Sequence, residues 1–439
     1  MARPPSSSKS PTSSKPSTPS GSKGARKGAP QAAQGAADGR WLSIVGIGED
    51  GADGLSPTAR ALVAGAQIVF GGARHLALAQ GLVTGQAVPW PSPFSVEGVL
   101  AARGRTVCVL ASGDPMFHGV GAVLARHVPA GEMRVVPGPS AFSLAAARLG
   151  WPLQEAAQVS LHGREIGRLR PHLQPGARIL ALTSDETGPA AVAKLLADFG
   201  CGASRLTVLE ALGGPRERIR TAQADGFDLD GIQPLNLVAI EVEMAAGAPL
   251  LTFATGLGDD LFEHDGQITK REIRALTLSA LAPRRGELLW DIGGGSGSVS
   301  IEWLLCDPSL AAIAIEKDPV RAARMARNAE RLGVPQLQIV EGAAPKALAG
   351  LPPPDVIFVG GGASRARLLD VALEALRPGG RLVANAVTLQ TEALLLAAHA
   401  RLGGTLVRIA LSRAAPVQGL TGWRSAMPVT QWSYVKERG

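Results

Sequence analysis

Apolar and polar segments begin to alternate regularly at Trp41 and continue to about residue 243. Short apolar runs of strand length are separated by stretches with the spacing of amphipathic helices. The apolar runs predict strands at 41–48, 67–71, 105–111, 132–137, 157–161, 178–183, 204–210 and 236–243. Strands that alternate with helices predict an α/β architecture for this part of the chain.

A second series of apolar runs follows a loosely patterned stretch at 245–258. It predicts seven strands, at 287–292, 311–316, 337–341, 355–360, 381–387, 405–412 and 429–436, with helices between the first five. Seven strands connected in this way favour one doubly wound, Rossmann-like sheet. We therefore expect two α/β units, 39–244 and 259–439, joined by a linker at 245–258 whose boundary lies within about five residues of Ala248.

Residues 1–38 are dominated by Ser, Pro, Lys, Ala and Gly and contain no large apolar residue beyond the first Met. This composition predicts a disordered basic tail, because it offers too little apolar surface to offset the entropy of ordering. The tail lacks the apolar core of a secretory signal, although basic, Ser-rich transit peptides have a similar composition. Residues 1–40 contribute +6 of the net charge of +7, since they hold four Lys and three Arg against one Asp. The rest of the chain is nearly neutral, so its charge does not indicate a nucleic-acid partner.

Apolar residues make up 46% of the chain, but no apolar run is long enough to cross a bilayer. The cysteines, Cys108, Cys201 and Cys306, are widely spaced and match neither a metal-ligand nor a disulfide pattern. We therefore expect a soluble cytoplasmic protein with no bound metal.

A glycine-rich run, DIGGGSG at 291–297, joins the first strand of the second unit to its first helix. Glycines at such a turn let a ligand approach the backbone closely. A dinucleotide fingerprint requires its third glycine at position 298, which is Ser298. The second strand ends at Glu316, nineteen residues after Gly297, where its carboxylate can accept from both ribose hydroxyls. The pattern favours S-adenosylmethionine as the ligand, with Asp291 near the cationic end of that cofactor. The alternative is that this segment is a plain tight turn with no ligand and that Glu316 is solvated.

The strand order, DIGGGSG, IAIEKD at 313–318 and LRPGGRLVANAV at 376–387 are similar to the class I methyltransferases. The segment HDGQITKREIR at 264–274 resembles the lead-in of the decarboxylating precorrin methyltransferases of cobalamin synthesis, and the likeness covers about 255–439. Ala343 stands where many relatives have an acid, and the chain after the third strand is expected to face the adenine. The candidate cofactor contacts of this unit are Thr269, Asp291, Gly293, Gly294, Gly295, Ser296, Gly297, Glu316, Ala343 and Ala344.

Three turn-forming motifs follow strands in the first unit: VGIG at 45–48, SGDPMFHGVG at 112–121 and VVPGPSAF at 135–142. As loop formers alone they allow a purely structural interpretation. In this order, with VSLHGR and VLEALGG, they resemble the tetrapyrrole methyltransferase family, in particular its precorrin-6Y C-methylating branch, over about 41–244. The resemblance implies a two-lobed class III domain that holds S-adenosylmethionine in its cleft, although Glu49 and Asp50 replace the usual proline and glycine. The implied cofactor contacts are Gly113, Asp114, Phe117, Ser140 and Ala141, and His118 and Arg164 are candidates for facing the substrate.

Methyl transfer to carbon needs an electron-rich carbon aligned with the donor and no nucleophilic side chain, so we nominate no catalytic residue. A tetrapyrrole substrate carries many carboxylates, and Lys270, Arg271 and Arg274 are candidates to bind them; a solvated helix face is the alternative. The resemblance assigns carbon 15 and decarboxylation to the C-terminal unit and carbon 5 to the N-terminal unit.

Three other functions are weighed against this one. A nicotinamide dehydrogenase shares the sheet and the turn, but the position of the third glycine argues against it. A nucleic-acid methyltransferase needs aromatic residues to stack an extruded base, whereas strand four runs into Gly360–Gly362 and Tyr434 is the only tyrosine. One unit alone could also be a non-catalytic binding module. We expect a small-molecule precorrin substrate, no nucleic acid, no membrane and a homo-oligomer.

Overall fold

The computed structural model describes residues 39–361 and 367–438. The tail at 1–38 and Gly362 therefore lie outside the described residues. Within these ranges no helix has the length and apolar character needed to span a membrane.

The first lobe is a parallel five-stranded sheet in the order β3-β2-β4-β1-β5. Its strands are β1 (Leu42–Ile47), β2 (Ile68–Gly71), β3 (Gln86–Pro89), β4 (Val107–Ser112) and β5 (Met133–Val136). Its helices are α1 (Pro57–Ala64), α2 (Ala73–Leu78), α3 (Glu97–Ala101) and α4 (Val120–Leu124). Because β1 lies between β4 and β5, the carboxyl ends of these three strands meet at one edge of the sheet.

The second lobe is a mixed five-stranded sheet in the order β6-β7-β10-β8-β9. Its strands are β6 (Ala156–Ser160), β7 (Arg178–Leu182), β8 (Arg205–Glu210), β9 (Arg218–Gln223) and β10 (Asn236–Glu241). Helix α5 (Ala141–Leu149) starts after β5 and buries Phe142 and Ala145 against this sheet, and α6 (Gly188–Asp198) follows β7. The burial of α5 attaches the second lobe to the loop that follows the first sheet.

The C-terminal unit contains one seven-stranded sheet in the order β13-β12-β11-β14-β15-β19-β16. Its strands are β11 (Leu288–Ile292), β12 (Ala311–Glu316), β13 (Gln338–Glu341), β14 (Val356–Val359), β15 (Arg381–Ala386), β16 (Thr405–Ile409) and β19 (Val429–Val435). Its helices are α7 (Arg271–Leu281), α8 (Ser298–Cys306), α9 (Pro319–Arg331), α10 (Leu368–Ala375) and α11 (Leu389–Leu402). The parallel strands run outward in both directions from β11, so the carboxyl end of β11 is the topological switch point at which such sheets bind ligands.

The structure confirms the α/β fold class, the seven-stranded sheet and every predicted strand within three residues at each end. The strand and helix predictions were otherwise incomplete or wrong in four respects. Strands β3 and β9 were missed, and so was the hairpin of β17 (Ser412–Val417) and β18 (Leu420–Ser425) between β16 and β19. The helix expected between the third and fourth strands is a single 3-10 turn at Lys346–Leu348, and α11 adds a helix after the fifth strand.

The segment 245–258 packs on both units. The buried Arg170 of the second lobe donates to the Pro249 carbonyl, and Gln174 Nε2 donates to the Leu251 carbonyl at 2.7 Å. Leu251 and Leu257 are buried in the core of the C-terminal unit. The segment is thus ordered by contacts to both sides.

Candidate functional site

The glycine run begins where β11 ends, at the switch point of the sheet. Gly293, Gly295 and Gly297 have φ of 80°, 58° and 78°, in the left-handed region that favours glycine. A Cβ on Gly293 would lie 3.1 Å from the Gly361 carbonyl oxygen, in the loop after β14. The run therefore bends tightly between two strand ends and keeps its backbone free of side chains.

Glu316 ends β12 beside this run and is 4% exposed. One carboxylate oxygen accepts from the Gly295 N–H at 2.9 Å and the other accepts from the Asp318 N–H at 3.0 Å. Asp318 also caps α9, whose first residue is Pro319. Each oxygen of Glu316 retains a lone pair, so the fixed carboxylate can still accept two further hydrogen bonds.

Asp291 lies beneath the run and is 1% exposed. Its Oδ2 accepts from the Ser300 hydroxyl at 2.6 Å and the Ser300 N–H at 3.2 Å, while Oδ1 has no partner among the described residues. Burial raises the pKa of Asp291 to about 6; the Ser300 hydrogen bonds oppose the shift and the charge of Glu316 adds to it. The side chain supports the turn from below and is not among the residues that line the cavity above it.

A cavity of about 820 Å³ opens above the glycine run. Its wall is formed by the lead-in segment at 264–274, the glycine run, the end of β12 and the chain that follows β13 and β14. The predicted site residues on its wall are Thr269, Lys270, Gly293, Gly294, Gly295, Ser296, Glu316, Ala343 and Ala344. Its volume lies within the range of about 300–1,000 Å³ that is usual for small-molecule sites.

Arg274 and Arg271 do not line this cavity. Arg274 is fully buried: its Nε donates to Glu302 at 2.5 Å and its Nη1 donates to Asp259 at 3.0 Å and to the Thr269 carbonyl at 2.6 Å. The expectation that Arg274 binds substrate is therefore wrong, because its donors are used inside the protein. It instead holds the backbone at Thr269 in place.

The sequence analysis also missed residues on the far side of the cavity. These come from the end of β15 and the residue after it, from the start of β17 and from the chain that flanks the β17–β18 hairpin: Asn385, Val387, Leu411, Arg413, Ala426 and Met427. The position of Asn385 at the carboxyl end of a parallel strand could have identified it. No sequence pattern indicated Arg413.

In the N-terminal unit, the Gly-Asp-Pro and Pro-Gly-Pro motifs lie against each other. The Gly113 N–H donates to the Ile47 carbonyl at 3.1 Å, and the Gly138 N–H donates to the Gly113 carbonyl at 3.0 Å. Gly113 has φ of 53°, and a Cβ there would lie 2.7 Å from the Pro139 carbonyl oxygen. The glycines thus allow the loops after β1, β4 and β5 to interlock.

The other predicted residues of this unit surround the interlocked loops. Asp114 accepts from the Met116 N–H at 2.9 Å, and Ser140 caps α5, which begins at Ala141, by accepting from the Ser143 N–H at 3.1 Å. The ring of Phe117 packs 5.2 Å from Phe142.

His118, with φ of 56°, follows Phe117, and the centroids of the two rings are 4.7 Å apart. Burial, and secondarily the charge of Arg164, lowers the pKa of His118. The two polar candidates for facing the substrate are therefore close enough to interact electrostatically, although one comes from each lobe.

A cluster that sequence reasoning missed lies at the same edge. Glu49, whose side chain is almost buried, pairs with Arg74 and lies 3.6 Å from Arg216 of the second lobe. Arg74 and His75 Nε2 contact the Ser112 hydroxyl at 2.9 and 2.8 Å. Burial, with the charge of Arg74, lowers the pKa of His75 to about 4, so this imidazole is neutral at pH 7. Glu49, which departs from the usual family pattern, thus forms ion pairs with both lobes.

Two family models match the chain. The tetrapyrrole (corrin/porphyrin) methylases match residues 42–227, and the precorrin methyltransferase domain matches residues 260–436. The precorrin-6Y C(5,15)-methyltransferase [decarboxylating] of a Sinorhizobium species is 60% identical over 398 residues, which are 90% of this chain and 96% of that protein. The chain belongs to the precorrin-6Y C(5,15)-methyltransferase (decarboxylating) family.

Membership of the precorrin-6Y C(5,15)-methyltransferase family confirms the predicted enzyme class, a methyltransferase. A cobalt-precorrin-6B C(15)-methyltransferase (decarboxylating) of Salmonella typhimurium is 41% identical over 128 residues, 28% of this chain and 66% of that protein. The solved C-terminal domain of the precorrin-6Y C5,15-methyltransferase of Rhodobacter capsulatus is 50% identical, covering 42% of this chain and 100% of that domain with a TM-score of 0.41. The dehydrogenase alternative is excluded by this membership.

Proposed function

We propose that this chain is a bifunctional S-adenosylmethionine-dependent C-methyltransferase of corrin ring synthesis. It methylates precorrin-6B at carbons 5 and 15 and removes the carboxyl group of the ring C acetate side chain, giving precorrin-8. The unit at 259–439 methylates carbon 15 and decarboxylates, and the unit at 39–244 methylates carbon 5. The name of the Salmonella relative supports this division, since that protein is named for carbon 15 and decarboxylation alone.

The observation that carries the proposal is one cavity whose wall combines the glycine run and Glu316 with the basic side chains of Lys270 and Arg413. The run offers backbone that a ligand can approach, and Glu316, hydrogen-bonded to that backbone, offers two further lone pairs that can accept from a ribose. The buried Ser296 hydroxyl has no partner among the described residues and lies on the cavity wall. These groups fit an adenosine with no pyrophosphate, because the charged side chain that touches the glycine run is the carboxylate of Glu316.

When bound, S-adenosylmethionine supplies a methyl group on a cationic sulfur. The residues of this chain would bind and orient the two reactants: Glu316 would accept from the ribose, and the backbone at Ala343 and Ala344 would face the adenine. Alignment of the substrate carbon with that methyl group would be the main contribution of these residues to the rate. Loss of the acetate carboxyl group as carbon dioxide leaves an electron pair, which the conjugated macrocycle accepts before a proton adds.

The interlocked loops of the N-terminal unit support a second cofactor site. Gly113, Asp114, Phe117, Ser140 and Ala141 lie on two touching loops at the carboxyl edge of the first sheet. His118 and Arg164 lie beside these loops, where they can contact the substrate.

Two measurements on the full-length chain test this proposal. Mass spectrometry of the product made from precorrin-6B and S-adenosylmethionine should show a gain of two methyl groups and the loss of carbon dioxide. Titration calorimetry should give two cofactor molecules per chain. An unchanged tetrapyrrole mass, or a single binding site, would overturn the bifunctional assignment.

We also propose that the enzyme is a cytoplasmic homo-oligomer. Its cysteines Cys108, Cys201 and Cys306 are all unpaired, as is usual in a reducing compartment. Light scattering of the purified chain tests the oligomeric state, and a monomer at micromolar concentration would contradict that part.

A further inference from the structure

The β17–β18 hairpin reaches the same cavity as the glycine run. It is paired only with itself among the described strands and is inserted between the last two strands of the seven-stranded sheet. We call its base the hairpin foot and define it as Leu411, Arg413, Ala426 and Met427, all of which line the cavity. The hairpin foot thus forms a wall that the sheet itself does not provide.

Two arginines lie directly opposite each other in the hairpin. Arg413 pairs in register with Arg424 across the antiparallel strands, and directly opposite residues point to the same face. Like charges in this arrangement destabilise a hairpin. Arg413 is joined only to Glu272 at the start of α7, and Arg424 has no ion-pair partner among the described residues. A bound anion would reduce the repulsion between these two arginines.

The α7 side of the cavity adds further positive charge. Lys270, which precedes α7, and Lys317, which follows Glu316, both line the cavity. Neither lysine has an ion-pair partner among the residues described. Arg321 also lines it but is paired with Asp265 at 2.9 Å. Lys270 therefore faces the cavity with an unpaired charge, while Glu316 supplies the negative charge at the glycine run.

Asn385 lies on the cavity wall with a fixed amide orientation. The Thr277 hydroxyl donates to the Ile273 carbonyl at 2.8 Å, so its oxygen can only accept from neighbouring amides. Asn385 Nδ2 donates to that oxygen at 2.9 Å, and Gln431 Nε2 donates to Asn385 Oδ1 at 3.0 Å. The second N–H of Asn385 has no partner in the described part of the chain, and it is a donor held in place beside the cavity.

We propose that Arg413, Lys270 and Asn385 form a carboxylate-binding site of the C-terminal unit, which holds a side-chain carboxylate of the substrate. This inference rests on the proposed function, because it takes a tetrapyrrole polycarboxylate as the substrate. Arginine suits the task because its planar fork binds a carboxylate through two parallel hydrogen bonds. The bound carboxylate joins Glu272 on Arg413, and its charge offsets the repulsion between Arg413 and Arg424.

The test is a binding titration of the full-length chain with a porphyrin polycarboxylate, followed by its absorbance, and with the fully esterified porphyrin. Arg413→Ala and Lys270→Ala should each weaken binding of the acid about tenfold, which is the loss of one charge-assisted hydrogen bond. Arg413→Lys should recover part of the loss. Glu272→Gln should tighten binding severalfold, because it frees Arg413 from its ion pair and removes a negative charge.

Arg401→Ala is the matched control, since Arg401 is an exposed arginine paired with Asp370 and does not line the cavity. Equal losses in Arg401→Ala and Arg413→Ala would overturn the site, and so would ester binding as tight as that of the acid. A weakening by Glu272→Gln would also overturn it. Failure of the proposed function is seen separately, as a wild-type chain that binds no S-adenosylmethionine or does not change the mass of precorrin-6B.

Discussion

The Glu316 carboxylate accepts a hydrogen bond from the Gly295 N–H at 2.9 Å. The acid at the end of β12 and the glycine run after β11 are therefore in direct contact even before a ligand is bound. This contact fixes the carboxylate in the position from which it can accept from a ribose.

Glu316→Gln should weaken S-adenosylmethionine binding at the C-terminal site about tenfold, because a neutral amide accepts more weakly and through one oxygen only. Glu316→Ala should weaken it further. The matched control is Glu341→Gln, since Glu341 is exposed and ends the neighbouring strand in register with Glu316. Calorimetry should show the change in one of two sites for the Glu316 variants and none for the control; an equal effect of Glu341→Gln would contradict the assignment.

Asp291 should make folding stability fall as pH rises from about 4 to about 6. Its pKa is raised by burial to about 6 in the folded chain, so the folded state binds a proton that the unfolded state has already lost in this range. Asp291→Asn mimics the protonated form and can still accept from Ser300. Relative to the wild type, this variant should gain up to about 3 kcal/mol of unfolding free energy between pH 4 and pH 7.5. Urea denaturation at both pH values measures the gain, and a difference that does not depend on pH would contradict it.

Arg274→Met should destabilise the C-terminal unit by about 3 kcal/mol or more, because it leaves the buried Glu302 without its cationic partner. Arg271→Ala, three residues earlier on the exposed face of α7, should change stability by less than about 0.5 kcal/mol. Thermal or urea denaturation distinguishes the two. Similar stability of the two variants would show that Arg274 does not have the structural role described.

Gly113→Ala should remove cofactor binding at the N-terminal site and destabilise its first lobe by about 1–3 kcal/mol, because alanine is strained at φ of 53° and its Cβ meets the Pro139 carbonyl. Gly104→Ala is the control for backbone strain alone. Gly104 has φ of 91°, and no atom lies within 4 Å of the position that its Cβ would take. Gly104→Ala should keep both cofactor sites in calorimetry. Loss of the N-terminal cofactor site in Gly104→Ala as well as in Gly113→Ala would contradict the specific role of Gly113.

Much of the C-terminal site could be predicted from the sequence, because the carboxyl ends of parallel strands lie at the same edge of a sheet. DIGGGSG and Glu316 follow neighbouring strands, so their contact follows from the topology. The inward orientation of Arg274 could also have been predicted. The helical spacing places it on the same face of α7 as Ile273 and Leu278, and that face is buried. Its charge led to the wrong expectation because its partner, Glu302, is 28 residues away and gives no local pattern.

The hairpin foot could not be predicted in the same way. Strands were identified by apolar runs or alternation, whereas β17 and β18 are largely exposed and contain Pro416 and Gly422. The ion pair of Arg413 with Glu272 joins residues 141 positions apart. The cluster of Glu49, Arg74 and Ser112 likewise depends on tertiary proximity alone.

The central claim is that one chain holds two separate methyl-transfer sites, and the product of the Glu316→Ala chain tests it most directly. With precorrin-6B and S-adenosylmethionine near the Kd of the wild-type sites, mass spectrometry of the early product should find one methyl group gained and the acetate carboxyl group retained. A product with two added methyl groups and no carboxyl loss, or one made at the wild-type rate with both changes, would contradict the account.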